Sequence, residues 1–211
     1  VHKELGYSPR RIGVVPNKIL KILGLINPKC VTGDMSSEKK CFFRFGNKQG
    51  GDSFLNIIAD IYTNTPLDNT YIKKYIVDIN NNKFKTINNG LLEIYFRNYG
   101  KQSSLQNFLE YTLSDEYKDY KFYYELFTER SNNLFKLSGN KIRGLILIIF
   151  DINYIKNIAE PEINILCPYF SPNIVRSMDN FNKVAFIIKK GNIFEPIYYF
   201  NGNTIPKKIF N

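Results

Sequence analysis

The segment Gln49-Gly50-Gly51-Asp52-Ser53-Phe54-Leu55-Asn56-Ile57-Ile58-Ala59 carries the sharpest chemical pattern in the chain. Two glycines permit a tight turn, and an acid and a hydroxyl then stand at the start of an apolar run. Unpaired N–H groups at a helix mouth stabilise an anion, so Ser53 there has the setting of an acyl-transfer nucleophile. Such a nucleophile needs a base to take its proton. His2 is the only histidine of the 211 residues, and it lies at the amino terminus. The structural alternative is that Asp52 or Ser53 caps a core helix.

Other chemistries find even fewer of their parts. No Gly-Lys-Ser/Thr ending for a phosphate loop is present. Cys30, Cys41 and Cys167 have no paired spacing, which predicts buried or idle thiols in a reducing compartment. Without a Cys-x-x-Cys or a second histidine, no metal site is expected, and no cofactor. A non-catalytic protein is the expectation.

Charge supplies a different kind of candidate. The net charge is +10, and it is uneven. Residues 1–50 hold ten Lys and Arg against three Asp and Glu, and residues 181–211 hold five against one, whereas the middle is nearly balanced. If the two ends meet, Arg10, Arg11, Lys18 and Lys21 with Lys189, Lys190, Lys207 and Lys208 form a basic face able to contact phosphate or an acidic protein. The alternative is a scatter of solvated lysines.

These residues must be positioned by elements that the pattern outlines. Pro16 opens a short helix carrying Ile19, Leu20, Ile22 and Leu23, which Gly24 ends, and Cys41–Gly46 reads as a short strand. Leu55, Ile58, Ala59 and Tyr62 recur at helical spacing. Thr65-Pro66-Leu67-Asp68 starts a helix that Asn80-Asn81-Asn82 stops, and another is expected over 91–96. Ser103 caps a helix over 104–113, and Ser114-Asp115-Glu116 is expected to cap the next, with Tyr117, Tyr120, Tyr124 and Phe127 as its packing stripe. From residue 144 the runs 145–150, 163–167, 184–188 and 193–200 are β-branched and aromatic, with Gly191-Asn192 as a hairpin turn. The fold class is therefore α+β, with helices from the N-terminal two thirds packed on a mostly antiparallel sheet from the C-terminal third. A single domain over 1–211 is expected: tail 1–12, mainly helical part 13–143, sheet part 144–200, tail 201–211. Glu195-Pro196-Ile197 reads as an edge strand, because proline has no N–H for a central ladder. Glu195 there would answer a nearby basic residue or serve as a fixed feature of the hairpin.

Two resemblances follow from these pieces. The Gln49–Ala59 segment resembles the nucleophile region of ovarian-tumour-type, papain-like cysteine proteases, in which Asp-Gly-Asn-Cys precedes an aromatic and a helix. Ser53 stands where that family has its cysteine. The late strand pair, where the family supplies its histidine, offers Glu195 and Tyr198 instead. The resemblance thus implies a degenerate, inactive site at Asp52, Ser53 and Glu195. The second resemblance is carried by Arg11–Pro16, Phe43-Arg44-Phe45-Gly46, Gln49, Ser53-Phe54-Leu55, Ile58-Ala59-Asp60, Gly144–Phe150, Ile163–Pro168 and Phe194–Tyr198. In that order they resemble a domain within long, poorly characterised proteins of nucleocytoplasmic large DNA viruses. That implies a virion or a cytoplasmic viral factory as the location, not secretion, and other viral proteins as partners. The expected role is an interaction or scaffold domain; the alternative is a nucleic-acid-binding module for transcription or genome packaging. The longest apolar run, Leu145–Phe150, is far short of a membrane span.

Overall fold

The computed structural model describes residues 11–24, 41–63, 68–97, 102–128, 145–154, 161–166, 184–201, 207, 208 and 210. Their contacts divide the chain into two compact units. One unit is built from both ends of the chain: Val1–Gln49, Leu147–Cys167 and Lys183–Asn211. The other comprises Gly50–Ile146 and Pro168–Asn182. The architecture is α+β, with helices mainly in the N-terminal two thirds and strands mainly in the last third.

The first unit is a sheet. Its strands β1 (Ile12–Val14), β2 (Cys41–Phe45), β3 (Ile146–Asn153), β4 (Glu162–Leu166), β5 (Val184–Lys190) and β6 (Ile193–Phe200) lie in the order β1-β2-β6-β5-β3-β4. The pairs β1–β2, β2–β6, β3–β4 and β5–β6 are antiparallel. Gly191, at φ 55°, makes the tight β5–β6 turn that the Gly-Asn pair predicts. Helix α1 (Asn17–Ile22) lays Ile19 and Leu20 against Phe150, Ile152, Ile188 and Ile197 of the sheet. Of the segments expected as tails, Ile12 begins β1, and Lys207 and Phe210 bridge to Tyr199 and Val184.

The edge-strand expectation for Glu195-Pro196-Ile197 is wrong. β6 lies between β2 and β5, and every residue from Phe194 to Tyr198 is buried. A proline is accommodated there because the ladder with β2 runs from Cys41↔Phe200 to Arg44↔Ile197 and stops beside Pro196. Past that point a side chain replaces the ladder, as Asn47 Nδ2 donates to the Phe194 carbonyl at 3.3 Å.

The second unit is helical: α2 (Ser53–Thr63), α3 (Thr70–Val77), α4 (Asn81–Thr86), α5 (Leu91–Phe96), α6 (Ser104–Leu113) and α7 (Tyr120–Thr128). The asparagine run expected to stop a helix also starts one, since Asn80 Oδ1 accepts the Lys83 N–H at 2.8 Å as the N-cap of α4. Helix α3 begins at Thr70, where Asp68 accepts the Thr70 N–H; Thr65 and Pro66 lie outside the described residues. Asn88 and Asn89 take left-handed φ of 52° and 54° between α4 and α5, a conformation asparagine tolerates. Ser103 Oγ caps α6 as expected, accepting from Gln106 N. Ser114–Glu116 do not start the next helix; Ser114 instead closes α6 as its C-cap, its N–H donating to the Glu110 carbonyl at 2.9 Å. The segment 114–116 forms a bend, α7 starts at Tyr120, and Tyr117 precedes it. The core is aromatic: Phe108 sits 5.3–5.5 Å from the rings of Phe84, Phe96 and Tyr123, and Phe54 packs on Tyr120 and Phe127.

Candidate functional site

Helix α2 is buried all round from Ser53 to Ala59 rather than on one face. Its entry is a junction of three segments. Gly50 takes φ 123°, its carbonyl accepts from Ser53 N at 3.1 Å, and the Gly51 carbonyl accepts from Lys118 N at 2.8 Å. Asp52 then meets Lys73 Nζ at 2.6 Å, Asn69 Nδ2 at 3.0 Å and Lys118 Nζ at 3.7 Å. The same Asn69 amide donates to Asn56 Oδ1 at 2.9 Å, which gives this buried polar side chain of α2 a partner.

Lys118 is fully buried, and its ammonium donates to the Ser114 carbonyl at 2.7 Å and the Glu116 carbonyl at 2.6 Å. Burial pulls its pKa below the ordinary lysine value, and the Asp52 charge works in the opposite direction. Two ammonium groups thus face one carboxylate. It joins the α2 entry to α3 and to the 114–118 bend. Ser53 has no exposed surface, and His2 lies outside the described residues. The hydroxyl therefore sits sealed inside the unit with no described imidazole.

Glu195 belongs to the other unit, and its role there is local. Its Oε2 accepts from Arg44 Nη1 at 2.6 Å, and both side chains are excluded from solvent. Of the two sequence alternatives for Glu195, an answering basic residue is the one present. Asp52 and Ser53 thus serve the helical unit and Glu195 the sheet.

The basic candidates have varied surroundings. Lys189 Nζ meets both Asp151 oxygens at 3.0 Å, so its charge is taken up in the sheet. Lys190 lies 4.6 Å from the Tyr154 ring centre, Lys207 5.5 Å from that of Phe210, and Lys208 5.3 Å from that of Tyr198. Lys18 Nζ donates to the Pro161 carbonyl at 3.1 Å. Arg11 and Lys21 are exposed, and Arg10 lies outside the described residues. Cys41 is buried as expected, but it is disulfide-bonded rather than a free thiol. Cys30 and Cys167 lie outside the described residues.

Sequence reasoning missed the surface of α5. Leu92 and Phe96 point into the core, whereas Leu91, Ile94 and Tyr95 are 54%, 57% and 47% exposed. Of these, Tyr95 also lines a cleft of about 290 Å³, together with Asn107, Glu110 and Tyr111 of α6 and Glu116 of the bend that follows. The signal was present: Leu-Leu-Glu-Ile-Tyr-Phe has five apolar residues in six, more than one helix face can bury. Among the described residues, no three His, Cys, Asp or Glu side chains gather as a metal site, and no helix is long and apolar enough to cross a membrane. The chain matches no protein-family model and no curated protein.

Proposed function

We propose that this chain is a non-catalytic interaction domain that docks a partner protein on the exposed face of α5. The observation that carries the reading is the group of Leu91, Ile94 and Tyr95, each about half exposed on one short helix, with Tyr95 also lining a cleft. The sealed Ser53 and the use of Glu195 as an ion-pair partner in the sheet support a binding role over hydrolysis. On the motif resemblance we further propose a large DNA virus protein as the parent, working in the virion or the cytoplasmic factory among other viral proteins.

The test is affinity capture from the producing cells with wild type and Leu91→Asp/Ile94→Asp. Both positions are exposed, so folding tolerates the change. Proteins held by wild type and lost by the variant are expected. Equal capture by both overturns the reading. The nucleic-acid alternative retains the +10 charge and the exposed Arg11 and Lys21 in its favour, but Lys189 is already engaged by Asp151. Binding of a labelled DNA that falls steeply with salt would favour it.

A further inference from the structure

The sheet unit holds most of the charge surplus: sixteen Lys and Arg against seven Asp and Glu, where the helical unit holds thirteen against twelve. Paired residues of a sheet share a face, and neighbours along a strand alternate, so the register sorts its side chains. One face carries Phe42 opposite Tyr199, Phe186 opposite Ile197, and Phe210 bridged to Val184. Helix α1 packs on this face at Ile188 and Ile197, with the exposed Lys18 and Lys21 on its outer side.

The four rings form a connected cluster. Phe42 lies 4.8 Å from Tyr199 and 5.5 Å from Phe210, and Phe210 lies 5.3 Å from Phe186, centre to centre. All four residues are only partly buried. The exposed Lys207 pairs with Tyr199 and holds its ammonium 5.5 Å from the Phe210 ring centre. Four residues along β5 from Phe186, a reach of about 13 Å, Lys190 lies 4.6 Å from the ring centre of the half-exposed Tyr154. No described carboxylate opposes these cations. Glu195 is taken by Arg44, and Asp151 and Glu162 lie on the opposite face by register, where Asp151 holds Lys189.

We propose that this face of the sheet binds single-stranded nucleic acid. Unpaired bases stack on Phe42, Tyr199 and Phe186, and the phosphates follow Lys207, Lys190 and the lysines of α1. Phe210, whose ring Lys207 already faces, supports the shelf from within the cluster. Rings beside cations suit a single strand, which offers flat bases and phosphates together, whereas a duplex keeps its bases stacked on one another. An acidic peptide would engage the lysines and leave the rings without a flat partner. The binding is independent of α5 docking, since α5 belongs to the other unit.

Fluorescence anisotropy of the full chain with a fluorescein-labelled oligothymidylate tests this against an abasic strand of equal length and charge. The oligothymidylate is expected to bind about tenfold tighter, with both affinities falling steeply as salt rises. Phe42→Leu/Tyr199→Leu should erase the preference and leave the abasic strand unaffected. Lys190→Gln/Lys207→Gln should weaken both strands and lower the salt slope by about two. Equal affinity for the two strands, or a preference that survives loss of both rings, overturns the proposal. Binding to phosphatidylserine vesicles but to neither strand overturns it as well and makes the face a membrane contact. Should the ring variant melt early, the lysine variant decides, and an unchanged salt slope there overturns the proposal. Leu91→Asp/Ile94→Asp should leave strand binding intact even if it abolishes capture of a partner protein; loss of strand binding in that variant would move the site to the helical unit and overturn the assignment.

Discussion

Arg44 and Glu195, 151 positions apart in sequence, form a 2.6 Å ion pair with both side chains out of reach of solvent. The register explains how they meet. Arg44 stands opposite Ile197, and Glu195 stands opposite Ile188 on the same face of the sheet. That is the face on which Val15, Ile19 and Leu20 pack, and Arg44 Nε also donates to the Val14 carbonyl at 3.0 Å. One guanidinium thus binds β2 to β6 and to the end of β1.

Removing one partner should cost far more than removing both. Glu195→Gln or Arg44→Met leaves a buried, uncompensated charge or donor and is expected to lower stability by about 3 kcal/mol. Arg44→Met with Glu195→Leu should recover most of that loss in urea titrations. Additive losses in the double variant would mean that the two side chains act independently.

Gly51 is a point of close approach. A Cβ there would stand 2.3 Å from the carbonyl oxygens of both Asp115 and Glu116, which are backbone atoms and cannot swing aside. Gly51→Ala is expected to lower stability by about 3 kcal/mol, at the upper end for overpacking. A thermal melt within a degree or so of wild type would show that the α2 entry and the 114–118 bend are not held together.

Lys118 makes a prediction with a sign. Its folded-state pKa is lowered by burial, so between that value and 10.5 the unfolded chain holds a proton the folded chain has released. Its contribution to stability is therefore fully present only above 10.5 and is lost as pH falls through the lowered folded value. Relative to Lys118→Met, wild type should gain stability as pH rises towards 10.5. Tyr111 and Tyr123, both raised by burial, titrate in each protein and largely cancel in the comparison. A stability difference that is flat with pH would rule out the depressed pKa.

Cys41 should resist alkylation by iodoacetamide in denaturant until dithiothreitol is added, as read by peptide mass spectrometry. Modification without reductant would identify a free thiol at the start of β2.

The features legible in sequence were the ones set by local rules. The Ser103 cap, the Gly191 turn, and the periodic or β-branched runs all follow from their own neighbours, and β6 was read to the residue. Features set by distant partners were not legible. Pro196 suggested an edge, because nothing nearby in sequence reveals that the β2 ladder ends one residue before it. Ser114 looked like the start of a helix, but Tyr111 and Lys118 hold it as a bend: its Oγ donates to the Tyr111 carbonyl at 2.8 Å and its own carbonyl receives Lys118 Nζ. Charge surplus lies at the chain ends, but paired charge lies elsewhere. Asp52, Lys73 and Lys118 lie in the middle segment, where opposite charges cancel in a count because they are paired in space.

The sheet order carries a consequence for synthesis on the ribosome. β2 is made early, yet its partner β6 is the last of the six strands to emerge. Until then, Phe43 and Arg44 have β1 on one side only, and their other edge stands open, a state prone to mispairing. The helical segment from Ser53 to Thr128 is contiguous and emerges in between, so it has its own near neighbours to hand first. Nascent chains halted before residue 193 should therefore protect the helices from protease while leaving the β1–β2 region open to cleavage, and release of the last strand should close it.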